Sequence, residues 1–342
     1  MSTIRNVVAR LAPVRSLTSR LPKFSESLVK GPFISAESSS ATPKSVSWPK
    51  YAADGQYTPV TDLLKSRPAA RVIAIGEHHH QPKVLNLQLQ VLEALSQKPD
   101  DTVLVVEYFN LTQARLLKRF SNGEINMPEL ASAYADSSED FDIEGHLAPL
   151  LSLAKEKNVP IVAGFPPREW ARDFLKDNGG VLSKLKDDFA FDRPEDTKSK
   201  DLGHDAYFES LLSGQAPRER VPDGESRKGA RIMPAQLLKD AVMAWSIDQQ
   251  LAKGKRVVVL AGLGHLEYGF GVMERVREAK REDMILIACK SNNESELWLH
   301  QEGSGGGSEG AALANRQATT TNTTTNSNDR AIADAVYLYD AV

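Results

Sequence analysis

The chain has 342 residues, 41% of them hydrophobic, a formal net charge of −3 and one cysteine. That is enough for one large domain or two small ones with a real core, and the charge makes no electrostatic case for a nucleic-acid partner. Cys289 alone excludes an internal disulfide framework and a multi-cysteine zinc site, and no apolar run reaches the roughly 18 residues that a transmembrane helix needs.

In chain order, the first element is a basic leader. Residues 1–36 carry Arg5, Arg10, Arg15, Arg20, Lys23 and Lys30 against one acid, Glu26, while Ile4, Val7, Val8, Leu11 and Val14 recur at helical spacing. A basic amphipathic segment of this kind is drawn to anionic membranes and has the composition of an organelle transit peptide. A mitochondrial location is therefore expected, with plastid or cytoplasmic locations as alternatives. Residues 37–58, rich in Ser and Pro, read as a linker into a domain spanning 59–302.

Within that domain short β-branched runs occur at 71–76, 102–106, 159–163, 256–261 and 284–288. Helical patterns separate them at 82–97, 111–120, 144–157 and 234–252. Continuous apolar runs suit strands covered on both faces, and the strand–helix alternation predicts an α/β fold: a mostly parallel central sheet flanked by helices. Residues 168–233 read as a helical excursion over the site. The Gly, Ser, Thr and Asn of 303–328 predict a disordered insertion, after which 329–342, with "DAVYLYDAV", supply a last strand returning to the domain.

The chemistry gathers where strands end. The first run stops at "GEHHH", giving Glu77 and His78, with His79 and His80 read as bystanders. The second stops at Glu107-Tyr108, the third leads to Arg168 and Glu169, and the fourth passes through "GLGH" to His265, Glu267 and Tyr268. In open α/β sheets the ligand crevice lies beyond the carboxyl ends of the strands, so these residues are expected to meet. The Gly-x-Gly-x-x-Gly order of a phosphate cradle is absent.

The segments "AIGEHHHQPKVLNLQ", "VVEYF", "LLSLAKEKNVPIVAGFPPR", "LLKDAVMAWSI" and "VVVLAGLGHLEYGFGV" together resemble the ChaN-like haem-binding uptake family of the Tiki/TraB superfamily, over roughly residues 60–290. The resemblance implies a haem-binding or iron-handling domain with tyrosine ligation, in a superfamily that also holds metal-dependent peptidases and antibiotic esterases. Carried over by motif, Glu77, His78, Glu107, Arg168 and His265 line the site and Tyr268 is the axial ligand. Arg168 and Arg172 would meet the propionates, and Phe109, Phe165, Trp170 and Phe270 are candidates to cover the porphyrin or to fill the core.

Two further readings stay open. In a hydrolase, Glu77, His78, Glu107 and His265 would be the catalytic set, with His78, His265 and Glu107 holding a divalent metal ion or a histidine acting alone as base. In a third reading the site has decayed to a scaffold. The expected partner is haem or another small molecule, and haem stacked between two subunits would be a reason to form a homodimer.

Overall fold

The computed structural model describes residues 28–30, 57–97, 101–135, 140–200, 202–213, 228–291 and 333–339. Eight strands among them form one sheet: Leu28–Lys30 (β1), Tyr57–Pro59 (β2), Val72–Glu77 (β3), Thr102–Asn110 (β4), Ile161–Phe165 (β5), Arg256–Gly262 (β6), Met284–Ser291 (β7) and Ala335–Tyr339 (β8). Their order is β2-β1-β8-β7-β3-β6-β4-β5. The six strands from β3 to β8 pair in parallel, and the short β1 and β2 add an antiparallel edge.

The β-branched runs form these strands because their side chains are covered on both faces: every residue of β3, β4 and β7 is buried. Alternation divides each strand between two layers. Ile73, Ile75, Leu104, Val106, Leu260 and Ile287 face one core with α1 (Val60–Ser66), α2 (Pro82–Leu95), α3 (Ala114–Ser121), α4 (Met127–Ala135) and α5 (Ala148–Glu156). Val72, Ala74, Val103, Val105, Val257 and Val259 face the other, where a long helix and the chain from 263 to 276 pack. On α2, Leu87 and Leu92 are fully buried, each contributing about 2 kcal/mol by removal of apolar surface from water.

The predicted excursion is helical: α6 (Arg168–Asp173), α7 (Asn178–Phe189) and α8 (Leu202–Ser213), leading into α9 (Lys228–Leu251). Phe174, Val181, Leu185 and Phe191 seal it against Leu238, Ala241 and Val242 of α9. Arg275, wholly buried, fastens it further by donating to the carbonyls of Asp196 (2.8 Å) and Lys198 (2.9 Å).

The expected α/β architecture is the one found, with differences at element ends. The helix expected from 234 begins at Lys228 and keeps Pro234 inside it; a proline at that point reads locally as a helix start. The pattern at 144–157 is split, a π-turn over Ile143–Leu147 preceding α5. Leu28–Lys30, in the stretch read as leader, and Tyr57–Pro59, where the stretch read as linker meets the domain, are paired strands of the sheet; three-residue strands carry no periodicity to detect. The remainder of the leader and the insertion at 303–328 lie outside the described residues. Among the described residues no helix is long and apolar enough to cross a membrane.

Candidate functional site

Three neighbouring strands, β3, β6 and β4, end together. Glu77, the last residue of β3, stands opposite Gly262 of β6, and Glu107 follows Val106, which stands opposite Leu260. Both glutamates are buried at 4% exposure, so each carboxylate needs partners. His79 provides the shared one: Nδ1 lies 2.8 Å from Glu77 Oε1 and Nε2 lies 2.8 Å from Glu107 Oε1. The Gly262 amide donates to Glu107 Oε2 at 2.7 Å, and the Gln88 amide of α2 donates to Glu77 Oε2. All four carboxylate oxygens are thereby engaged.

Gly262 makes this bridge feasible. A Cβ there would stand 3.4 Å from His79 Nε2 and 3.7 Å from Glu107 Oε1, so any larger side chain would take the space the imidazole spans. The electrostatics follow from the geometry. Burial opposes a charge on His79, but the hydrogen bonds and charges of Glu107 and Glu77 outweigh it and push its pKa up to about 10. The ring is an imidazolium donating from both nitrogens. Burial works against ionisation of Glu107 as well, yet the bond to His79, together with the His79 and His265 charges, holds its carboxyl below the ordinary value. Tyr108, buried beside them, is raised well above the usual phenol range by burial and by the Glu77 and Glu107 charges, and stays neutral.

A second dyad stands beside this clamp. His265 Nδ1 lies 2.6 Å from Asp240 Oδ1, and the Phe165 ring packs 4.9 Å from the His265 ring. Asp240 reaches in from α9 and is fully buried. With Nδ1 committed to Asp240, Nε2 is the nitrogen left for a ligand or a proton. Gly271 closes the support: its φ is +57° and a Cβ would lie 2.5 Å from the His265 carbonyl oxygen and 3.0 Å from Asp240 Oδ2. Only glycine fits both constraints.

The open rim carries more rings. His80, at φ 62°, and His146, on the π-turn, have ring centroids 5.3 Å apart. Phe141 lies 5.0 Å from His79 and 6.3 Å from His80, tilted 32° to the latter. Burial holds the His146 imidazole below its ordinary pKa.

Of the residues expected from sequence, Glu77, Glu107 and His265 come together here. His78 is half-buried next to the bridge, whereas the inward role assigned to it belongs to His79. Arg168 opens α6 and is exposed, as is Arg172. Tyr268, at φ 59°, is 7% exposed, its ring packed 5.1 Å from Tyr207 and 6.0 Å from Phe270 in the core beneath α8. Its neighbour Glu267 accepts from Tyr207 and pairs with buried Lys290 at 2.6 Å. Phe109 and Phe270 are core residues with no exposure, and Trp170 packs on Phe189; Phe165 is the member of that set that borders the site. Among the described residues no group of three or more His, Cys, Asp or Glu converges to hold a metal ion, so the expected set of His78, His265 and Glu107 does not form one. Its reason is visible in Glu107, whose oxygens are taken by His79 and Gly262.

Sequence reasoning missed His79, Gln88, Asp240 and His146. Gln88 and Asp240 carried a signal: each is polar at a buried position of a helix whose buried residues are mostly apolar. Such a residue must find a polar partner inside the fold.

A parallel α/β sheet with its polar cluster beyond the carboxyl ends of three adjacent strands defines a ligand-site protein of the open-sheet class. The chain belongs to the family described as haem-binding uptake, Tiki superfamily, ChaN, which matches residues 63–276 and so includes the clamp, the dyad and the rim. Among solved structures, that of cofacial heme binding to ChaN of Campylobacter jejuni is 15% identical, with a TM-score of 0.50, covering 69% of this chain and 87% of that one. An erythromycin esterase mutant, EreC, in its open conformation is 16% identical with a TM-score of 0.40, covering 68% of this chain and 72% of that one. The type III effector HopBA1 is 10% identical with a TM-score of 0.39, covering 82% and 92%. No curated protein matches the chain.

Proposed function

We propose that this chain binds haem at the carboxyl ends of β3, β6 and β4. The observation that carries the reading is the donor set. The His80 imidazole lies beside Phe141 and His146, and the His265 imidazole packs on Phe165, while no three-ligand metal set converges among the described residues. That combination suits a porphyrin, which brings four nitrogens of its own and asks the protein for one or two axial donors, apolar cover and cations. Lys239, 5.4 Å above the Phe165 ring, is a cation beside the site for a propionate. Haem, when bound, supplies a redox-active, ligand-binding iron; the residues here hold and orient it. Titration of the full-length protein with hemin, followed at the Soret band, is expected to give a saturable, stoichiometric shift. A shift no greater than that on a protein without a haem site would discard the reading.

One observation favours a second reading. The Asp240–His265 dyad has the arrangement of a general base, an imidazole oriented through Nδ1 by a buried carboxylate. In a histidine-dependent hydrolase His265 Nε2 would take the proton from water or from a substrate hydroxyl. Chelator-insensitive turnover of a carboxylic ester, abolished in His265→Ala, would establish it, and inactivity across a panel of esters and peptides would remove it.

A further inference from the structure

We propose that His146, with His80 beside it, supplies the axial ligand to the haem iron, in place of a tyrosine. This rests on the haem-binding reading above. An axial donor has to reach an open face with an uncommitted nitrogen or oxygen.

Tyr268 fails on access. Its phenol is in the core between Tyr207, which has no exposure, and Phe270, and α8 would have to lift away for a porphyrin to reach it. His204 fails likewise: it is 1% exposed and stacked on Phe270 at 5.3 Å. His79 reaches the rim but both of its nitrogens are held by carboxylates. His265 keeps Nε2, yet its side chain is only 14% exposed and is walled by Phe165. His78, as half-buried as His146, is already engaged in an interaction within the fold.

His146 and His80 meet the criterion together. Their rings lie side by side at the open rim, with Phe141 as an apolar platform next to them. His146 is carried on the π-turn, whose start is fixed by Asp142 accepting from the Gly145 amide at 2.8 Å. A donor on a fixed turn is preorganised in a way that a donor on a loop is not. Ring centroids at 5.3 Å and 58° leave no room for a porphyrin between the two imidazoles, so they cannot bind iron from opposite faces. One imidazole therefore binds, displacing water from the iron with no change in oxidation state, and His80 flanks it. His80 is exposed, and His146 is the better held of the two.

The experiment is absorption and electron paramagnetic resonance of the ferric haem complex of the full-length protein, with His146→Ala, His80→Ala and Tyr268→Phe. The wild-type complex is expected to show a histidine-ligated spectrum. His146→Ala is expected to weaken binding about tenfold or more and lose that signature, and free imidazole should restore it. Tyr268→Phe should leave the spectrum unchanged. Circular dichroism of each variant is expected to match that of the wild type, which keeps a folding defect apart from a lost ligand. Saturable binding with a tyrosinate spectrum, or with a histidine spectrum that survives in His146→Ala, overturns the assignment while leaving haem binding intact; absence of saturable wild-type binding overturns both.

Discussion

His79 Nε2 lies 2.8 Å from Glu107 Oε1, across the end of the intervening strand β6, while Nδ1 of the same ring holds Glu77. One imidazolium thus pairs with two carboxylates that close off two strands. Removing it in His79→Ala leaves two buried negative charges facing each other. Loss of one partner of a fully buried pair costs about 3–5 kcal/mol; because the His79 side chain is 37% exposed, about 2–3 kcal/mol is expected here. Denaturant unfolding at neutral pH would measure it, and a loss below about 0.5 kcal/mol would show that the clamp does not stabilise the fold.

The same clamp sets a pH dependence. His79 is raised from 6.5 to about 10, so its contribution is complete below 6.5 and fades as pH rises through about 10. Glu107 is lowered from 4.5, so its contribution is complete above 4.5 and is lost as pH falls through the depressed value. Stability from the pair should therefore be greatest between 4.5 and 6.5 and decline on both sides. Melting temperatures across pH 4–10 should show an alkaline decline that is flattened in His79→Ala.

Lys290 and Glu267 form an ion pair at 2.6 Å with side-chain exposures of 4% and 1%. Lys290→Met strands a buried carboxylate beside Tyr207 and should cost about 3–5 kcal/mol. Adding Glu267→Gln removes the stranded charge, and the double variant should recover a large part of that loss. Additive losses in a double-mutant cycle would show that the two side chains are not coupled.

Gly271→Ala places a Cβ 2.5 Å from the His265 carbonyl oxygen at a backbone with φ +57°. Left-handed strain and overlap with a backbone atom together should cost about 2–4 kcal/mol. The displaced atoms belong to the support of the Asp240–His265 dyad, so ligand affinity should fall along with stability. Gly254→Ala, at φ +77° with nothing within 4 Å of the added atom, is the control: about 1 kcal/mol of strain and no change in affinity.

Much of this could be read in the sequence. The parallel sheet was legible because runs such as "RVVVLA" and "MILIA" are apolar without interruption, which strands covered on both faces require. The strand ends were legible as places where Glu77, Glu107 and His265 interrupt apolar patterns. The motif gives the position of Tyr268 along the chain, while the turn at φ 59° decides where its ring goes, and here it goes into the core with Tyr207. The distal half of the dyad, Asp240, lay in a helix whose apolar pattern drew attention away from its buried acids, Asp240 and Asp248.

By itself the sequence determined the fold class, the end of the sheet at which the candidate site lies and three of the residues that meet there, because hydrophobic periodicity and interrupted strands are local properties. Only the tertiary structure decided that His79 and not His78 spans the two glutamates. A step of one residue past a strand reverses the direction of a side chain, and the partner for that side chain depended on β6, late in the sequence, inserting between β3 and β4 and presenting a glycine where the imidazole crosses.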